Sequence, residues 1–576
     1  MASQGISTTV ALTGVLPFVV LVAAVLSLPA CLFLLRLYRR SVLAGMDTVA
    51  GAAAPQPQSE PQRGPPAAPL QITNLDGNAP VGARAADADA LRQAVRGPWR
   101  SAAVYACAGV AYAVVMTAGW MLATRDATVV FTKLAILSWT YFWPAVLTVL
   151  LVAAYDRSRR WQVLGVYFGV FAALMAIAVA RNPDLGLLQV PLYWVLTNGA
   201  ESILLMTFLL RPIRAVGPLV LAFLLMVAIG SQTVLSVAAA NEAVLREIAG
   251  VGFRLGLSAN GVFFGMILLG IAAFAALGWP LLRWIGRRYE TKKFSDQSIT
   301  IDSLFLLFAV VQSIGLVFEG APWILTGLVA FAAYKAAALI GFSLTRGKAG
   351  PPRTLLLLRV FRLGKRSEQL FDKLRKHWQP VGSISMIAGP DLVTTTVEPH
   401  EFLEFLSGRL GRHFVSGTAD LDRRTAAMDR AADPDGRYRI NEFFCRTDTW
   451  QMTMQRLAAA SDAVLMDLRS FSPSNQGCLY ELGRLLDRVD LAHVVFMVDE
   501  TTDRAFLEAT LHRLWSELSG SSPNRNATAP AARVFHIREQ SETALVALLA
   551  HLLTTASQRQ DNLDVRSETL PRPVIH

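Results

Sequence analysis

Two hydrophobic patterns divide the chain. Up to about residue 344, apolar residues come in long runs, at 10–35, 102–122, 133–154, 161–180, 187–210, 215–239, 255–282, 301–318 and 322–344. Each is near the roughly 20 residues that a helix needs to cross a bilayer core. After Gly350-Pro-Pro the runs shorten to strand length and alternate with amphipathic stretches of helical period. The strands predicted there are 354–361, 383–388, 437–445, 463–468, 493–498 and 533–537. The helices between and after them are 366–378, 400–412, 449–460, 477–489, 503–518 and 542–556. Such alternation implies a parallel sheet with helices on both faces, the doubly wound, flavodoxin-like layout.

The expected organisation is therefore an N-terminal membrane anchor helix (1–48), a disordered Pro/Ala-rich linker (49–100), a polytopic membrane domain of about eight helices (101–348), a cytoplasmic α/β domain (349–558) and a disordered tail (559–576). The linker is assigned from its Ala, Pro, Gln and Gly content and its lack of an apolar period.

Composition sharpens this picture. The 576 residues are 53% hydrophobic and only 17% charged, with mean hydropathy +0.40, which excludes an ordinary soluble protein. The formal charge of +11 does not point to nucleic acid, because basic clusters sit beside the apolar runs. Arg36, Arg39 and Arg40 follow the first run directly. Arg157, Arg159 and Arg160, then Arg211 and Arg214, then Arg283 to Lys293, then Arg346 and Lys348 fall at every second connection, while the loops between hold only scattered bases. The positive-inside rule then gives nine spans, an N-terminus outside and a C-terminal domain in the cytoplasm. High Ala and Arg content with short loops fits a bacterial inner membrane. Leu28-Pro-Ala-Cys31 mimics a lipoprotein cleavage box but lacks a basic leader. The four cysteines show no paired spacing and the histidines no ligand spacing, so neither a disulfide framework nor a metal site is expected.

Candidate chemistry concentrates in SDAVLMDLRSFSPSNQGCLYELGRLL, residues 461–486. A buried strand leads through a loop of turn formers into a helix, and the loop should emerge at the strand's carboxyl end, where open α/β sheets bind ligands. With Cys478, Leu482, Leu485 and Val489 on the buried stripe, Glu481 falls at its edge in the first turn, toward that crevice. The bland alternative is an acid placed there by the helix dipole. Asp391 and Asp499 also follow strands and are more simply turn formers. Within the apolar runs, Glu201, Lys335 and Asp302 are ionisable; a Glu201–Lys335 pair suggests either a transport site or a neutralised structural pair.

The run from Trp450 through Ser461-Asp462 into Ala-Val-Leu-Met, followed by Ser-Phe-Ser-Pro-Ser-Asn-Gln-Gly and Cys478-Leu-Tyr-Glu481-Leu482, resembles the core of Toll/interleukin-1 receptor (TIR) domains. That family shares the flavodoxin-like layout, and in its enzymatic members the Glu of Cys-x-x-Glu-Leu is catalytic in cleaving NAD at the nicotinamide–ribose bond. The resemblance implies Glu481 as the catalytic residue and Ser472 and Ser474 as the loop. Leu358-Arg-Val-Phe-Arg-Leu-Gly-Lys-Arg resembles the first strand and its cofactor-facing loop. Gly477 replaces the family's common Trp, and the first strand lacks the aromatic-Ser-aromatic ending.

The implied reaction passes through an oxocarbenium-like state, which a carboxylate stabilises. Arg362, Lys365, Arg366 and Arg469, at strand ends bordering the crevice, are the candidate phosphate binders. No permanently bound cofactor is expected, with NAD the implied substrate. The expected partners are the lipid bilayer, a nucleotide and further copies of the chain through the cytoplasmic domain. The expected function is membrane-anchored signalling or defence. The alternatives are a nucleoside deoxyribosyltransferase-like activity, a non-catalytic nucleotide-sensing or partner-recruiting module, and a transporter with a regulatory domain.

Overall fold

The computed structural model describes residues 16–48, 68–75, 84–125, 130–153, 157–182, 185–208, 216–345, 351–359, 365–389, 397, 399–538 and 541–569. The chain forms two compact units. One comprises Met1–Tyr38, Trp99–Thr345 and Val397–Ser407, the other Arg39–Pro98, Arg346–Thr396 and Gly408–His576.

In the second unit, short apolar runs form a seven-stranded sheet: β1 Gln71–Leu75, β2 Arg353–Arg359, β3 Gly382–Ile387, β4 Ile440–Phe443, β5 Ala463–Asp467, β6 Val494–Val498 and β7 Ala531–His536. Every neighbouring pair is parallel, in the order β1-β7-β6-β5-β2-β3-β4. The central strands are apolar on both faces because each face is covered. Leu356, Leu358, Val464, Met466, Val494 and Phe496 pack with helices Trp450–Ala460, Gln476–Arg488 and Arg504–Ser516. Their neighbours Leu355, Leu357, Ala463, Leu465, Val495 and Met497 pack with helices Lys365–Trp378 and Glu542–Thr569.

From β2 the chain moves outward through β3 to β4, then returns to the other side of β2 as β5 and continues through β6 to β7. The direction of winding therefore reverses between β2 and β5. Their register pairs Leu355 with Ala463 and Arg359 with Asp467, so both strands end together. Sheets of this class hold ligands at such a reversal, outside the carboxyl ends of the strands.

Three boundaries differ from the sequence expectation. The expected linker 49–100 is not unstructured where it is described. Gln71–Leu75 forms edge strand β1 against β7, with Trp515 Nε1 donating to the Ala68 carbonyl at 2.9 Å. Ala90 and Ala94 are buried beside Trp378, and Gln93 Nε2 donates to the Pro380 carbonyl at 2.7 Å. A five-residue strand with three exposed positions leaves too little period to be read. The expected tail 559–576 is helical as far as Thr569, and residues 570–576 lie outside the described residues. Helix Pro399–Leu406, expected in the α/β domain, belongs to the first unit, where a Cβ on Gly286 would meet Leu403 Cδ1 at 2.9 Å.

The first unit is helical. Among the described residues, four helices are long and apolar enough to cross a membrane: Ala85–Ala123, Arg157–Arg181, Ala259–Glu290 and Pro322–Thr345. Phe131–Tyr141 and Trp143–Val152 add a fifth if taken as one span, bent by 40°. Helices Leu16–Met46, Gln189–Phe208, Gly217–Ala240 and Asp296–Ile314 occupy the remaining apolar runs. Large apolar side chains such as Trp161, Val166, Leu196, Phe264, Leu268 and Leu344 face outward, as lipid-facing surfaces do. Small residues let the helices approach closely: a Cβ on Gly327 would lie 2.0 Å from the Ala309 carbonyl oxygen, and one on Gly119 2.1 Å from Thr326 Cγ2.

Candidate functional site

At the reversal point the strand ends carry charge. β5 closes on Asp467, whose carboxylate accepts from Arg469 Nε at 2.8 Å, Nη2 at 2.7 Å and the Arg469 backbone N–H at 3.2 Å. Arg469 is only 2% exposed. Burial works against its charge, but Asp467 and Asp499 outweigh burial and hold it protonated. Arg469, expected to bind phosphate, thus has its fork engaged inside the protein, because a doubly hydrogen-bonded carboxylate lies two residues away.

Ser470 then turns the chain with φ +58°, a left-handed conformation uncommon for a side chain other than Gly, Asn or Asp. Its hydroxyl meets Thr501 Oγ1 at 2.8 Å, and Thr502 Oγ1 donates to the Leu468 carbonyl at 3.0 Å. These bonds tie the loop after β5 to the loop after β6. Asp499 accepts from the Thr501 N–H at 2.9 Å, so it makes a turn, as the simpler sequence reading has it. Ser472 and Ser474 meet at 2.9 Å between their hydroxyls, and Asn475 Oδ1 accepts from the Ser472 N–H at 2.9 Å. Both serines stand beside the crevice, in an exposed turn that leads into the helix.

Helix Gln476–Arg488 buries Cys478, Glu481, Leu482, Leu485 and Leu486. The helix begins at Gln476, so Glu481 lies in its second turn rather than the first, and at 3% exposure it is buried rather than at the edge of the stripe. The dipole effect is confined to the first turn and does not explain this acid. Glu481 Oε2 has no hydrogen-bond partner among the described residues. Burial pushes its carboxyl up to about 8, with the charge of Arg359 working in the opposite direction. Burial thus favours the protonated form of Glu481, and an acid so perturbed by desolvation beside a specific charge is a functional-site candidate. Cys478, one turn earlier, has its thiol pushed up by burial and by the charges of Glu481 and Asp467, which makes it a poor nucleophile.

The structure brings Glu481, Ser472, Ser474 and Arg469 to one end of the sheet. Arg362 and Asp391 lie outside the described residues, and Lys365 and Arg366 open helix Lys365–Trp378 with side chains that lie outside them. The sequence reading missed Arg359, the buried last residue of β2. A cation closing a run of four leucines was the available signal.

In the helical unit, Lys335 pairs with Asp302, whose other oxygen accepts from Tyr334 Oη at 3.1 Å. The expected Glu201–Lys335 pair involves a Glu201 side chain that lies outside the described residues. A neutralised pair with a tyrosine donor is the arrangement that a buried structural acid requires.

Comparison with protein-family models, with curated proteins and with solved structures finds no significant match.

Proposed function

We propose that the α/β unit binds a nucleotide in the crevice between the β2 and β5 ends and hydrolyses NAD at the nicotinamide–ribose bond, as the TIR-like motif around Cys478 and Glu481 implies. The carrying observation is Glu481 itself, a buried carboxyl with an unpartnered Oε2 at the winding reversal of a parallel sheet. A flavodoxin-like core of β2, β3, β5, β6 and β7, in the order β7-β6-β5-β2-β3, underlies this reading, with β1 and β4 added at the edges. The protein is then a multi-pass membrane signalling or defence protein of a bacterial inner membrane, with nine spans and the α/β unit in the cytoplasm. Clustering of that unit switches it on.

The chemistry follows from charge. The pyridinium of NAD is cationic, so its arrival beside Glu481 offsets the burial that keeps the acid protonated, and the proton leaves to water. The resulting carboxylate stabilises the positive charge that grows on the ribose as the C–N bond breaks and nicotinamide departs with the bonding pair. Water adds to the anomeric carbon and loses a proton, giving ADP-ribose. A second reading, in which the crevice senses a nucleotide without cleaving it, is favoured by the Asp467–Arg469 fork, which turns the Nε and Nη2 edge of Arg469 onto a carboxylate instead of a phosphate.

The test uses the full chain in nanodiscs at rising surface density with NAD, beside its Glu481→Gln form. Nicotinamide release that climbs with density and vanishes in the variant supports hydrolysis. Saturable NAD binding without release in either form replaces it with the sensing reading.

A further inference from the structure

The bent helix pair of the membrane unit breaks at Phe142, and its sequence explains why. The Thr140 carbonyl would accept from residue 144 in a continuous helix, but Pro144 has no N–H to give. A free carbonyl is costly in a membrane interior. Here the Phe142 N–H, shared with the Ser138 carbonyl, turns partly toward the Thr140 oxygen, and Asn198 Nδ2, on helix Gln189–Phe208, donates to it from outside the helix at 3.2 Å. The preceding carbonyl, of Trp139, accepts from Tyr167 Oη at 3.0 Å.

The same helix also grips the other side of the break. Ser202 donates to the Asn198 carbonyl and accepts from Trp143 Nε1 at 2.6 Å. Asn198 is itself aimed by its neighbours: its Oδ1 accepts from Gln312 Nε2 at 2.9 Å, and Gln312 Oε1 accepts from Tyr112 Oη at 2.8 Å. Asn198, Ser202, Gln312 and Tyr112 are all buried, and all are uncharged. Thr140 Oγ1, also buried, has no partner among the described residues. Neutral hydrogen bonds break and re-form at small cost compared with ion pairs, which suits an element with two arrangements.

We propose that Phe142 is a hinge in the membrane unit and that Asn198 is its clasp, supplying the donor that Pro144 withholds and thereby setting the bend between the two half-helices. The clasp gives the unit a place to change shape, independently of what the α/β unit catalyses.

The test is a double-mutant cycle on the full chain in nanodiscs, read by hydrogen exchange of the amides at positions 141–143, 145 and 146. Asn198→Leu should speed exchange there roughly threefold to fivefold, the factor that a membrane hydrogen bond of ordinary strength implies. Pro144→Ala restores a backbone donor to Thr140, so adding Asn198→Leu to it should change exchange far less. The orphaned Gln312 is common to both backgrounds and cancels. An equal effect of Asn198→Leu with and without Pro144 overturns the clasp. If Asn198→Leu alone does not fold, recovery of folding in the double variant supports it, and failure of both overturns it.

Discussion

Asp467 and Arg469, two residues apart, hold each other through two hydrogen bonds of 2.8 and 2.7 Å inside a protein that exposes almost none of either side chain. A buried pair of this kind adds little net stability but is costly to break singly, because the survivor is left charged and dry. Asp467→Asn should therefore destabilise the α/β unit by about 3–5 kcal/mol. The double change with Arg469→Met should cost less than Asp467→Asn alone. Denaturant unfolding of the three variants checks the order, and a double variant worse than the single would show that the fork does more than neutralise itself.

Glu481 sets a pH dependence with a definite sign. Its carboxyl rises from about 4.5 to about 8 on folding, so between those values the folded chain binds a proton that the unfolded chain does not. Stability from this group is fully present below pH 4.5 and is lost as pH rises through 8, at up to about 1.4 kcal/mol per pH unit. Glu481→Gln keeps the shape and removes the titration. Its melting temperature should change less than that of the parent between pH 5 and 8.5, and parallel curves would sink the prediction.

Asp87 binds the N-terminal segment into the sheet. Arg353 Nη2 donates to Asp87 Oδ1 at 3.2 Å and to Ser557 Oγ at 3.0 Å, and all but the serine are buried. Asp87→Ala leaves a buried guanidinium without its carboxylate, which should cost about 3–5 kcal/mol. Limited proteolysis of the variant should release the α/β unit's core strands earlier than in the parent; unchanged resistance would show that residues 85–98 are dispensable to it.

Gly327 permits a helix contact that no side chain would. With a Cβ only 2.0 Å from the Ala309 carbonyl oxygen, Gly327→Val must push helix Leu325–Thr345 off helix Asp296–Ile314. The detergent-solubilised variant should melt several degrees lower, by an overpacking cost of about 1–3 kcal/mol. Gly265, which has open space around it, serves as the control, and equal losses at both positions would refute the packing argument.

By itself, the sequence determined what local periodicity can encode. Runs of about twenty apolar residues placed helices in the first unit, and short runs alternating with amphipathic stretches determined a parallel sheet covered on both faces. The strand–loop–helix around Glu481 was legible for the same reason, since strand, turn formers and helix stripe are neighbours in the chain. Tertiary structure alone decided what depends on distant residues meeting. It recruited Gln71–Leu75 to the sheet edge, because a five-residue strand has no period to read until β7 supplies its partner. It gave Lys335 to Asp302, brought Arg359 beside Asp467, closed Arg469 onto that same carboxylate, and sent Asn198 to the carbonyl that Pro144 deprives of its helical donor. In each case the chain fixes the demand, an unpaired charge or carbonyl that cannot stay buried alone. Which residue answers it is settled by packing, where desolvation makes a missing partner costly.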